Sequence, residues 1–184
     1  EYNITNLTIY GNDYVHESVN LANRIWDEQE VATFTNKGQI CKGDSSNLSF
    51  VPSDLFDLVY TGYIDPIMNP TMMDIDDDGQ TNSLHLCKTD PVQAMAEQTL
   101  QEDWFASWVS ELVRIAKPGK IIAVETVDNP MCADRHSWGG VDKKWWKRAI
   151  SKYDWDVDPK SFVHQKDTIN RRRYNVMMRK REAQ

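Results

Sequence analysis

Four consecutive apolar residues, Ile121-Ile122-Ala123-Val124, constrain the fold of this chain more than any other stretch. A half-solvated strand alternates apolar with polar residues. This run is apolar on both faces, as a parallel strand between two helix layers would be. Just before it, Phe105, Trp108, Val109, Leu112, Val113 and Ala116 recur at helical spacing, with Pro118-Gly119 as the expected stop. A helix feeding a buried strand is half of a βαβ unit, and the same alternation runs through the rest of the chain.

Leu7-Thr8-Ile9-Tyr10 reads as a short strand ended by Gly11-Asn12-Asp13. Val15, Val19, Ala22, Ile25 and Trp26 then repeat as one helical face, with Asp13 as its cap. Ile40-Cys41 is a second strand ended by Gly43-Asp44-Ser45-Ser46, and Phe56 to Tyr60 a third that breaks into Thr61-Gly62-Tyr63. Asp90-Pro91 is an N-cap followed by proline at the first helical position. Asp142 starts another helix with Trp145, Trp146, Ala149, Ile150 and Tyr153 inward. Ser161 to Thr168 and Tyr174 to Arg179 are spaced to form a hairpin. Strands alternating with helices predict an open α/β sheet, which binds ligands at the carboxyl ends of its strands. Those ends are where the Gly, Asp, Ser and Thr clusters fall.

Length and charge narrow the function. A chain of 184 residues suits one domain, read here as 1–184 with an insertion or lid at 66–100. A net charge of −7 opposes a general nucleic-acid role; the one basic exception, Arg171-Arg172-Arg173 with Arg179-Lys180-Arg181, reads as a solvated hairpin edge. No apolar run is long enough to span a membrane. Cys41, Cys87 and Cys132 lack metal spacing, and their odd number points to reduced thiols. The sequons at Asn3, Asn6 and Asn47 are read as chance matches, and the compartment stays unassigned.

In their order and spacing these segments resemble a class I S-adenosylmethionine-dependent methyltransferase of the broad small-molecule (type 11) kind. Tyr10-Gly11-Asn12-Asp13 with the helix after it resembles that fold's second strand and following helix. Gly43-Asp44-Ser45 resembles the turn after its third strand, and Phe56-Asp57-Leu58-Val59-Tyr60 its fourth. The sharpest match is Trp108 to Lys120, which ends Pro118-Gly119-Lys120 where the family usually has Pro-Gly-Gly. Asp158 to Lys180 resembles the closing antiparallel hairpin. The implied fold is a Rossmann-like methyltransferase sheet, mostly parallel, finished by that hairpin.

The resemblance implies roles. Asp13 holds the position of a carboxylate that accepts the ribose hydroxyls, and Asp44, beside Ser45, that of one that accepts the adenine amino group. Thr61, Gly62 and Tyr63 lie where the loop passes the methionine moiety and the transferred methyl. The plain alternatives are a helix cap for Asp13, a turn former for Asp44 and core closure for Tyr63. His136, in Arg135-His136-Ser137-Trp138-Gly139-Gly140, is the histidine best placed near a substrate; methyl transfer rests mainly on alignment, so a base is not required. Tyr63 and His136 are the catalytic candidates.

One departure is large. The family's glycine-rich loop follows a first strand, yet this chain opens at Glu1-Tyr2-Asn3-Ile4, already at the entrance to the second, and contains no Gly-x-Gly. The expectation is a methyltransferase domain lacking its first strand and glycine turn, completed by upstream sequence or by another polypeptide. The insertion carries Asp74-Ile75-Asp76-Asp77-Asp78-Gly79-Gln80, which imitates a calcium loop with Asp74, Asp76, Asp78 and the Gln80 carbonyl as ligands. His85 stands where that loop requires a bidentate Glu, and a solvated acidic lid is the alternative.

Two functions are weighed. One is S-adenosylmethionine-dependent methyl transfer to a small-molecule acceptor. The other is a non-catalytic methyltransferase-like binding subunit of a larger assembly. RNA methylation is disfavoured by the acidic total.

Overall fold

A computed structural model of the protein describes residues 7–28, 35–62, 87–127, 140–168 and 173–183. The chain divides into two compact units, Glu1–Leu48 and Ser49–Gln184.

In the first unit, β1 (Leu7–Asp13) and β2 (Thr35–Lys42) form a parallel pair joined through α1 (His16–Glu28). The register runs from Leu7 opposite Thr35 to Asp13 opposite Lys42, with a shift between Ile9 and Gly11. Both strands are longer than their apolar runs, because β1 takes in Gly11-Asn12-Asp13 and β2 begins well before Ile40. Pairing supplies hydrogen bonds to backbone that the sequence marks as turn, so tertiary context overrides local preference. Asn23 ties the helix to the sheet: its Nδ2 donates to the Ile40 carbonyl at 3.1 Å.

In the second unit, β3 (Phe56–Thr61), β4 (Ala116–Thr126), β5 (Val163–Lys166) and β6 (Tyr174–Arg179) form one sheet in the order β3-β4-β6-β5. β3 and β4 are parallel, and β4-β6 and β6-β5 antiparallel, so the hairpin expected from the spacing is present. The connection from β3 to β4 runs through α2 (Pro91–Ile115), and α3 (Lys143–Lys152) precedes the hairpin. Asp90 caps α2 by accepting from the Gln93 amide, and Asp142 caps α3 by accepting from the Trp145 amide. Residues 91–100, expected to belong to an insertion, are therefore the opening turns of a regular helix.

Register decides which face of this sheet is the core. Val59, Ile122, Val124, Val176 and Met178 share one face and are buried. Against it lie Phe105, Val109, Leu112 and Val113 of α2 and Trp146, Ala149 and Ile150 of α3, all buried. Phe105 sits at the centre, its ring 5.6 Å from both Trp145 and Trp146 and 5.7 Å from Trp108. Trp145 and Trp146 meet edge to face at 5.4 Å, an arrangement the aromatic quadrupole favours.

Four expectations need correction. Ile121-Ile122-Ala123-Val124 is not buried on both faces, since Ile121 and its neighbours on β3, Leu58 and Tyr60, are exposed. An apolar run reports the residues available for burial, while their covering is set by neighbours distant in sequence. The helix stops at Ile115, before Pro118-Gly119, which instead shapes a bulge in β4 where pairing jumps from Phe56–Ala116 to Leu58–Ile121. Gly119 takes a φ of 73°, which an L side chain rarely adopts. The basic cluster is only partly solvated. Lys180 is buried, donating to Asp54 Oδ1 at 2.7 Å and to the Arg114 carbonyl at 3.1 Å, and Arg173 is buried too. Finally, Cys87 is disulfide-bonded and Cys41 free, so the odd cysteine count conceals a bridge.

The core makes a quantitative expectation. Trp146→Ala should cost about 3–5 kcal/mol of unfolding free energy, as large core truncations do, and Asp142→Ala about 1 kcal/mol for its lost cap. Urea unfolding of both variants checks that ranking.

Candidate functional site

The carboxyl ends of the parallel strands, where open α/β sheets bind ligands, carry the candidate side chains. In the first unit Asp13 ends β1 and Asp44 follows β2, on adjacent strands held together where the Gly43 amide donates to the Asp13 carbonyl at 2.9 Å. Asn12 reinforces the junction, its Nδ2 donating to the Gly43 carbonyl at 2.9 Å while its Oδ1 accepts from the Ser45 hydroxyl. This places Ser45 as a lock between the two strand ends.

Both carboxylates do the local work their types predict. Asp13 Oδ1 accepts from the Val15 amide at 2.7 Å at the entrance to α1. Asp44 Oδ1 accepts from the Ser46 amide and hydroxyl, each at 2.8 Å. These bonds are the cap and the turn of the plain alternatives. They engage one oxygen of each side chain, and Oδ2 of each has no protein hydrogen bond or ion pair among the described residues. Two acceptors on neighbouring strand ends can therefore serve a ligand rich in hydroxyl and amino donors.

In the second unit the parallel strands end at Thr61-Gly62 on β3 and Glu125-Thr126 on β4, with Thr61 opposite Val124. Tyr60 donates from Oη to Glu125 Oε2 at 3.0 Å. Gly62 stands against that bond: a Cβ there would lie 2.9 Å from the Tyr60 hydroxyl and 3.2 Å from Glu125 Oε2. Any larger residue would push on the pair, which explains the glycine by close approach rather than by an unusual φ.

Sequence reading places Asp13, Asp44 and Ser45 together correctly, and Thr61 and Gly62 at a strand end. It misses the hydrogen bonds that Asn12, Tyr60 and Glu125 make at these strand ends. Glu125 had a signal, being the first polar residue after the apolar run of β4. Tyr63, His136, Asp74, Asp76, Asp78 and Gln80 lie outside the described residues. Among the described residues no group of three His, Cys, Asp or Glu could hold a metal ion. No helix among them is long and apolar enough to cross a membrane. His164, in β5, has its ring 4.7 Å from that of Tyr174, a packing role.

The Tyr60–Glu125 bond yields an expectation. Tyr60→Phe keeps the ring and removes the donor from a buried carboxylate, which should cost about 1–3 kcal/mol. A lowered midpoint in thermal unfolding, with the secondary structure unchanged by circular dichroism, is the expected outcome.

No profile of a known protein family matches this chain, and no curated protein matches it. Solved structures do. A possible exported protein from Bordetella parapertussis aligns at a TM-score of 0.57 and 12% identity, over 95% of this chain and 53% of its own. A SAM-dependent methyltransferase from Methanosarcina mazei aligns at 0.56 and 12% identity, over 96% of this chain and 83% of its own. The 1,6-didemethyltoxoflavin-N1-methyltransferase of Burkholderia thailandensis, solved with bound S-adenosylhomocysteine, aligns at 0.51 and 9% identity, over 94% and 61%. The chain thus spans about half the length of the first of these. At such identities the likeness is one of fold, and the chain has the fold of the class I S-adenosylmethionine-dependent methyltransferases.

Proposed function

We propose that this chain is part of an enzyme that binds S-adenosylmethionine and transfers its methyl group to a small-molecule acceptor. The observation that carries the reading is the pair Asp13 and Asp44, on adjacent parallel strand ends, each keeping an oxygen that no described protein group engages. The donor set suits the cofactor: a ribose offers two neighbouring hydroxyl donors and adenine an amino donor. Asp13 is assigned to the ribose and Asp44 to the adenine. Ser45 and Asn12 fix the spacing of the two strand ends. A fold hosts many chemistries, so the assignment rests on these residues as well as on the likeness.

When bound, the cofactor would supply an electrophilic methyl group on a sulfonium. What the protein adds is alignment of the acceptor and exclusion of water, which can account for several kcal/mol of barrier lowering. Within the second unit, Thr61 and Gly62 are proposed as ligand-contacting residues, since the glycine lets backbone approach a ligand closely. A small acceptor is favoured over a nucleic acid by the net charge of −7 and by the hairpin cations, of which Lys180 is engaged by Asp54.

Titration calorimetry with S-adenosylhomocysteine tests the reading. Asp13→Ala and Asp44→Ala should each weaken binding about tenfold or more, the worth of a hydrogen bond to a charged group, roughly 1.5–3 kcal/mol. Unchanged affinity in both variants would remove the assignment.

A further inference from the structure

Glu125 is in an energetically unusual position. Its side chain belongs to the same sheet face as Leu58, Tyr60, Ile121 and Ala123, because parallel partners in register point the same way. On that face the apolar residues are wet and the acid is dry: Leu58 is 61% and Tyr60 63% exposed, whereas Glu125 is 7% exposed. Hydrophobicity alone would order them the other way round.

Nor is the carboxylate compensated. Burying a charge is costly unless it is paired and well hydrogen-bonded. Among the described residues no Lys, Arg or His pairs with Glu125, and its side chain accepts one hydrogen bond, from Tyr60. Two other shielded ionic groups of this unit are treated differently. Lys180 has both a carboxylate and a carbonyl, and Glu111 a two-pronged bond with Arg114 at 2.9 and 2.8 Å. Glu125 is left under-paired at the strand end where open α/β sheets receive ligands.

We propose that Glu125, oriented by Tyr60 and made approachable by Gly62, is a binding group for a protonated amine on the methyl acceptor. A cation supplies the charge the protein withholds, and an ammonium supplies donors for the remaining acceptor capacity of the carboxylate. The exposed ring of Tyr60 lies beside the carboxylate and can take the apolar body carrying the amine. An ammonium has no lone pair to accept a methyl group, so the amine recognised is distinct from the atom methylated. The acceptor class is therefore an aminated small molecule with a second nucleophilic centre. This deepens the methyl-transfer reading and rests on it.

The probe is benzylammonium, with benzyl alcohol and benzoate as shape-matched controls, titrated into the full chain and followed by amide chemical shifts. Benzylammonium should shift Tyr60, Gly62 and Glu125, with benzyl alcohol at least tenfold weaker and benzoate without effect. Glu125→Gln, which keeps size and the acceptor for Tyr60, should weaken benzylammonium about tenfold or more. Three results would each overturn the proposal: no shift at those residues, equal binding by the Gln variant, or equal binding of the alcohol. S-adenosylhomocysteine titrated into the unsubstituted chain is a separate readout. Its failure to bind would remove the methyl-transfer reading, while the amine titration still reports whether Glu125 is a cation site.

Discussion

The second unit depends on one face of β4. Ile122 and Val124 lie there fully shielded from water, β3 and β6 pair directly with that strand, and β5 is added through β6. α2 and α3 cover the face with an aromatic cluster centred on Phe105, in which rings meet at 5.4–5.7 Å. Large apolar side chains account for most of the area removed from water, so this contact dominates the folding free energy of the unit. With β4 fixed by packing, its carboxyl end and the parallel end of β3 are fixed as well. The position of Glu125 is a consequence of the core.

The polar features follow the same logic. Lys180, buried beneath the bulge of β4, joins Asp54 and the last turn of α2 to the end of β6. Removing Asp54 would leave the shielded ammonium with only the Arg114 carbonyl as acceptor, whereas Asp54 itself is half exposed and would be solvated. Asn12 and Ser45 do the corresponding work in the first unit, where two strand ends with little apolar content are joined by side-chain hydrogen bonds.

Asp13 and Asp44 show how one side chain can have two uses. Each is needed locally, as cap and as turn, and each retains an acceptor. The local bond pre-sets the rotamer, so little entropy remains to be lost when a ligand arrives.

What the sequence determined by itself was the alternation of elements, the two helix caps at Asp90 and Asp142, the hairpin, and the adjacency of Asp13 with Asp44. The elements, caps and hairpin depend on period, on residue chemistry and on the short reach of a side chain to its own backbone, while the adjacency of Asp13 with Asp44 was legible through the resemblance to a known fold. Tertiary structure alone decided that Ile121 is exposed, that Lys180 is buried, that Pro118-Gly119 makes a bulge rather than a helix end, and that Tyr60 reaches Glu125 across 65 positions of sequence. Burial and pairing depend on which distant residues arrive, and no local period carries that information. Glu125 could be read as a polar residue at a strand end, but its lack of a counter-charge becomes visible only once every neighbour is in place.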